Sequence, residues 1–175
     1  LINDLVQALT SQRLLLRPIK ISDANFVLQL FNDPDCIEYI GDKGLHNQID
    51  AIDYIKNGPL KMYQELDLGL LVVESNSGEI LGLCGLLKRE ELSSPDLGFA
   101  FLPMYRNKGY AFESAQLVLR DAFAKKNGLQ NVLAITTFTN DKSISLLGKL
   151  GFSYKNTLQL KGYNELSHLF ELSAQ

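Results

Sequence analysis

Residues 96–115 read D-L-G-F-A-F-L-P-M-Y-R-N-K-G-Y-A-F-E-S-A, and the folding of this stretch decides how the rest of the chain is read. The apolar run 96–102 is a strand that Pro103 ends. Beyond it, Ala111, Ala115, Val118, Leu119, Ala122 and Phe123 fall on one helical stripe. A strand thus feeds a helix through a short loop, and such a junction aims several unpaired backbone amides at one spot. Arg106 and Lys108 stand on the helix threshold, where the partial positive charge of a helix N-terminus already sits. Two more cations there are unfavourable unless an anion arrives. Gly109 lets backbone and ligand approach closely, and Ala111 keeps the next turn small. Residues 103–112 carry two positive charges and no negative one. The junction is read as a phosphate cradle for a polyphosphate ligand.

Upstream, R-L-L-L-R-P at 13–18 is a strand closed by proline. Ser22 is expected to cap a helix bearing Phe26, Val27, Leu30 and Phe31, which Asn32-Asp33-Pro34 stops. Ile49, Ile52 and Ile55 mark a second helix, interrupted near Asn57-Gly58-Pro59, with a short helical piece around 61–65. Residues 69–74 and 79–87 form a hairpin across Ser75-Asn76-Ser77-Gly78. The connection 88–95 is polar, its K-R-E-E run read as a solvated tip. Downstream of the cradle helix, which Lys125, Lys126 and Gly128 should finish, 131–137 is a strand covered on both faces. Asn140 opens a helix with Ile144, Leu147 and Leu150 inward, ended by Gly151, and 152–159 and 168–172 are strands. The expectation is one mixed α/β domain over 1–175. It holds a sheet of about seven strands with helices on both faces, in the order β-α-α-β-β-β-α-β-α-β-β. The crossover between residues 96 and 137 makes the centre of the sheet parallel.

The chain has 175 residues and a net charge of -3, which speaks against a general nucleic-acid or anionic-membrane binder, so any anion site is local. Its longest apolar runs fall far short of the ~20 residues of a membrane span, and the first ten residues do not read as a signal peptide. Cys36 and Cys84 suit a reducing compartment such as the cytoplasm, Cys84 as a small core residue. With only His46 and His168, no spacing resembles a metal site.

Neither a Walker loop nor a dinucleotide G-x-G-x-x-G occurs. The segment R106-N107-K108-G109-Y110-A111 fits R/Q-x-x-G-x-G/A, and N-D-K-S-I-S-L-L-G-K-L-G-F at 140–152 fits N-x-x-S-x-x-x-x-x-x-x-G-F. With the order of elements, these resemble the GNAT superfamily of acyl-CoA-dependent N-acetyltransferases. R-L-L-L-R and L-G-F-A-F-L look most like its Rim-type branch, which acetylates protein N-termini, and its small-molecule relatives. The resemblance implies that the amides of Arg106, Asn107, Lys108, Gly109, Tyr110 and Ala111 bind the pyrophosphate of acetyl-CoA. It implies that edge groups of Phe99, Ala100, Phe101 and Leu102 pair with the pantetheine arm. Asn140 would bond the same arm, although a plain helix N-cap also accounts for it. It further implies a primary amine acceptor, no metal, coenzyme A as product, and a monomer or homodimer.

Attack on a thioester needs a proton path for the amine, a donor for the oxyanion (a backbone amide around Phe101 would serve) and an acid near sulfur. Many relatives place a tyrosine four residues before the glycine of G-F; here that position is Leu147. Ser143, one turn earlier, is the candidate for thiol protonation, against a serine bonding its own helix backbone; Tyr154 and Tyr163 are less favoured. Asp96 stands where it would order a water for the amine proton, although a surface acid at a strand end is the plainer reading. Glu90 and Glu91 would suit a cationic acceptor or simple solvation. An α-amine, with a pKa of about 7.7–8.0, is roughly one-tenth neutral at pH 7 and needs less help than a lysine. The missing tyrosine keeps open a non-catalytic acyl-CoA-binding sensor; a nucleotide switch is disfavoured by the absent Walker pattern.

Overall fold

The computed structural model describes residues 6–125 and 129–174. The predicted hairpin is the middle of the sheet: β3 (Gly69–Ser75) and β4 (Ile80–Leu87) are buried along most of their length, as continuous apolar runs covered on both faces must be. With β1 (Leu9–Thr10), β2 (Leu14–Pro18), β5 (Asp96–Phe101), β6 (Asn131–Thr136), β7 (Ser153–Gln159) and β8 (Leu166–Ser173) they form one sheet in the order β1-β2-β3-β4-β5-β6-β8-β7. The eighth strand, beyond the expected seven, is the two-residue β1, folded back on β2 by a turn in which the Ser11 amide donates to Leu14 O. All neighbours are antiparallel except β5 and β6, which the crossover helix makes parallel.

Four helices rather than two lie between β2 and β3: α1 (Ala24–Phe31), α2 (Pro34–Ile40), α3 (Gln48–Ile55) and α4 (Lys61–Leu66). The Asn32-Asp33-Pro34 stop ends α1 and also starts α2, because the Asp33 carboxylate accepts the Cys36 amide and Pro34 occupies the first turn. Ser22 is not the cap of α1. It sits exposed in a 3-10 turn, and the adjacent Asp23 is buried at the junction, where it accepts the Lys20 amide and both terminal nitrogens of Arg17 at 2.8 and 2.9 Å. Asn57-Gly58-Pro59 does not break the chain's helical course but widens it into one π-turn, Lys56–Leu60, which runs on into α4. Ile55 is inward as expected, with Ala51, whereas Ile49 is exposed.

The cradle helix is α5 (Tyr110–Lys125); its expected end at Lys126 and Gly128 lies outside the described residues. Ala115, Val118, Leu119 and Ala122 bury its apolar stripe against β2, β4 and β5. The last helix, α6 (Asp141–Lys149), packs beside α5 and β6. Successive strand residues face opposite ways. Cys84 of β4 meets Ser114 of α5 on one face, while its neighbour Leu83 looks toward Phe31 of α1 and Tyr54 of α3 on the other. Helices therefore cover both faces.

Candidate active site

β5 and β6 share a single rung. Asp96 pairs with Leu133, the Leu133 amide donates to Pro95 O at 2.9 Å, and beyond that point the strands part. A cleft opens between them, walled by Gly98, Phe99 and Ala100 of β5 and by Ile135 and Thr136 of β6. The Leu102 amide donates to Leu81 O on the β4 side. Strand alternation then turns the peptide groups of Leu97, Phe99 and Phe101 toward the gap and those of Ala100 and Leu102 toward β4. Of the four edge residues expected, Phe99 and Phe101 thus face the cleft with their backbone, while Ala100 offers only its methyl side and the Leu102 amide is committed to the sheet.

At the open end of β5 the chain makes a 3-10 turn, Pro103–Tyr105, and passes through Asn107 (φ 60°) and Gly109 (φ 81°) into α5. Positive φ is the reason for glycine here: a Cβ at 109 would meet nothing closer than the Arg13 guanidinium at 3.3 Å, so conformation decides rather than space. The first helical bond runs from the Glu113 amide to Gly109 O, which leaves the amides of residues 107–112 without a protein acceptor among the described residues. Arg13, from the R-L-L-L-R strand, clamps this loop. Its Nη1 donates to Lys108 O at 3.0 Å, its Nε to Glu113 at 2.7 Å, and its guanidinium covers the Tyr110 ring at 4.7 Å. Sequence reading assigned Arg13 only to a strand.

Arg106 departs from expectation. Its amide donates to Pro103 O, its Nε donates to Phe101 O at 2.8 Å, and its terminal nitrogens pair with Asp33 and Asp35 at the start of α2. Neither its amide nor its guanidinium is free for a phosphate, because Pro103 O holds the one and two acids at the start of α2, 73 and 71 residues earlier, hold the other. Lys108 keeps its ammonium over the Tyr105 ring at 5.7 Å, with no ion pair among the described residues.

The cleft is also lined by Asp96, Asn140, Ser143, Leu147 and Tyr163. Asp96 is 1% exposed, not a surface acid, and Arg89 Nε donates to both its oxygens at 3.2 and 3.1 Å. Burial raises the Asp96 carboxyl pKa above its ordinary value, with Arg89 pulling the other way. The K-R-E-E segment is accordingly not all solvated: Arg89 folds inward on this acid, whereas Glu90 is exposed and Glu91 accepts the Lys161 amide away from the cleft. Asn140 is the N-cap of α6, its carboxamide oxygen accepting the Ser143 amide at 3.1 Å. Ser143 is half-buried and lines the cleft, so its amide closes the cap while its hydroxyl remains available. Leu147 is fully buried where a tyrosine was absent from the sequence. Tyr163 lines the cleft, donating to Ile40 O at 3.3 Å, while Tyr154 lies outside it, 57% exposed and edge-on to His168. Two residues that no motif marked are the adjacent Thr136 and Thr137, whose buried hydroxyls line the cleft without a protein partner. No group of three or more metal-ligating side chains occurs among the described residues, and no helix among them is long and apolar enough to cross a membrane.

A parted strand pair with an amide-rich helix start at its mouth defines an α/β fold of the acyl-carrier-binding kind. The chain belongs to the GNAT acetyltransferases: residues 13–153 match the acetyltransferase (GNAT) domain family. It is 25% identical over 160 residues to an uncharacterised N-acetyltransferase of Bacillus licheniformis, covering 88% of this chain and 86% of that one. Its fold matches the ribosomal-protein-S5-alanine acetyltransferase of Vibrio fischeri at a TM-score of 0.77, with 18% identity over 95% of this chain and 96% of that one. It likewise matches a spermidine N-acetyltransferase of Vibrio cholerae, solved with CoA and spermine, at 0.76, with 20% identity over 93% and 96% of the two chains. The protein is an acyl-CoA-dependent N-acetyltransferase.

Proposed function

We propose that the described fold works as a single acetyltransferase domain, moving an acetyl group from acetyl-CoA to a primary amine, either a protein α-amine or a small molecule, by direct attack on the thioester. The observation that carries this reading is the one-rung β5–β6 seam ending at the free amides of 107–112. In this reading the amides of Asn107, Lys108, Gly109, Tyr110 and Ala111 hold the diphosphate, with the Lys108 ammonium adding charge. The backbone of Phe99 and the Phe101 amide pair with the pantetheine arm as a missing strand would, and the free nitrogen of Asn140 reaches the same arm. Arg106 shapes the loop from behind.

In the cleft, a water ordered by Asp96 takes the proton of the attacking amine, a gap-facing backbone amide of β5 receives the oxyanion, and Ser143 returns a proton to the leaving thiolate. Burial of Asp96 supports its role, because a carboxyl of raised pKa is a better proton acceptor than an exposed one. The two buried cysteines fit a reducing, cytoplasmic setting, with the protein acting as a monomer or homodimer.

Leu147 favours a second reading, an acyl-CoA sensor without turnover, since no tyrosine stands at that place. One experiment separates the two. Acetyl-CoA is offered with α-amino peptides, lysine peptides, polyamines and amino sugars, and products are read by mass spectrometry. Acetylated product supports the transferase; tight acetyl-CoA binding with no product on any amine defeats it.

A further inference from the structure

Three charged side chains line the cleft: Lys43, Arg89 and Asp96. The lone carboxylate is already engaged, both oxygens on Arg89 Nε, and is 1% exposed. Arg89 has one terminal nitrogen near Tyr163 Oη at 3.5 Å and the other without a hydrogen-bond partner among the described residues. Lys43, half-buried between α2 and α3, has no acidic partner among the described residues. The acids that sequence reading offered to a cationic acceptor stand elsewhere: Glu91 holds the Lys161 amide and Glu90 is exposed. Glu38 acts on the Tyr39 hydroxyl and does not itself line the cleft. Among the lining side chains, an acceptor entering with a second positive group therefore meets two cations and one carboxylate that is already paired, while one with a negative group meets a matched wall.

We infer that the preferred acceptor carries an anionic group, a carboxylate or a phosphate, close to its primary amine, and that Lys43 and the free edge of Arg89 receive it. The inference rests on the acetyltransferase reading above and narrows its acceptor class. Fold likeness to a spermidine acetyltransferase does not extend to the acceptor, because a polyamine brings the wrong sign of charge to this cleft.

Matched acceptors test it. Alanine is compared with alaninamide, phosphoethanolamine with ethanolamine, and an alanyl-glutamate dipeptide amide with its alanyl-lysine counterpart, with spermidine as the cationic extreme. In each pair the anionic member should show kcat/KM about fivefold or more higher, and the pair with the larger ratio tells carboxylate from phosphate. Lys43→Glu should shift each ratio about tenfold toward the neutral or cationic member, with acetyl-CoA affinity unchanged. Equal rates within every pair, a preference for spermidine, or ratios that Lys43→Glu does not move overturn the inference while leaving the transferase reading intact. Transfer to none of the seven overturns the inference, and transfer to no amine of the wider panel above, with acetyl-CoA bound, sinks the transferase reading as well.

Discussion

Arg13 and Glu113, 100 residues apart in the chain, meet with guanidinium Nε 2.7 Å from the carboxylate, and this pair ties the start of β2 to the first turn of α5. Through Lys108 O and the Tyr110 ring the same guanidinium fixes the loop that carries the free amides. Arg13→Ala removes the clamp without touching those amides. Acetyl-CoA affinity should fall about fivefold, the worth of roughly one net hydrogen bond, in isothermal titration. An unchanged affinity would show that the loop holds its shape alone. The pair also has a pH signature. The Ser11 hydroxyl and Arg13 outweigh burial and hold the Glu113 carboxyl below its ordinary value. Its contribution is thus present above the usual carboxylate range and lost as pH falls through the lowered value, so affinity should hold at pH 5 and weaken only in stronger acid.

Gly109 sits at φ 81°, with only the end of the Arg13 side chain, 3.3 Å away, near the place a Cβ would take. Gly109→Val puts a branched side chain into a left-handed conformation that costs about 1–2 kcal/mol, and the loop should relax by swinging its amides away. Acetyl-CoA binding should be lost while circular dichroism reports an intact fold. Retained affinity would place the diphosphate elsewhere.

Arg106 should behave as a brace rather than a phosphate ligand. Arg106→Gln frees Asp33 and Asp35 and loosens the start of α2, which carries Tyr39 and Ile40 into the cleft. The acceptor KM should rise several-fold with acetyl-CoA affinity within twofold of the parent. Loss of a charge-assisted phosphate contact would instead cost about 1.5–3 kcal/mol, tenfold or more in affinity.

Asp96 sets the acidic limb of the rate profile. Its carboxyl is raised by burial, so it should begin to protonate, and activity to fall, at a pH above the ordinary aspartate range as the solution is acidified. Asp96→Asn should lower kcat about 10²-fold and erase that limb, with acetyl-CoA binding kept. A full-rate Asp96→Asn enzyme removes the acid from the proton path.

Ser143→Ala leaves the amide that caps α6 and deletes only the hydroxyl in the cleft. If that hydroxyl protonates the thiolate, kcat should drop about 10²-fold without a change in thermal stability. An unaltered kcat transfers attention to the unpartnered hydroxyls of Thr136 and Thr137.

What the sequence made legible was local. The strand-loop-helix order around Gly109, the hairpin at residues 75–78 and the inward stripe of α5 each follow from periodicity and turn chemistry within a dozen residues. What it concealed was contact between distant segments. Nothing near Arg106 announces Asp33 and Asp35, and nothing near Asp96 announces that Arg89 turns inward, although both are runs of plain surface composition. Asp23 shows the same limit: Ser22 and Asp23 are equal caps by propensity, yet Arg17 reaches Asp23 and Glu74 together and fixes the acid at the helix start. The unpartnered threonine hydroxyls could be found only once β6 was seen to leave β5.

That departure has a mechanical consequence. The two wings of the sheet are stitched by one rung and otherwise joined through α5 and the packing around it. An acyl donor lying along the seam would supply the absent rungs itself. Saturation should therefore slow exchange of the gap-facing amides of Phe99, Phe101 and residues 135 and 137 far more than in β3, which already has a neighbour on each side, so that the substrate briefly serves as part of the architecture.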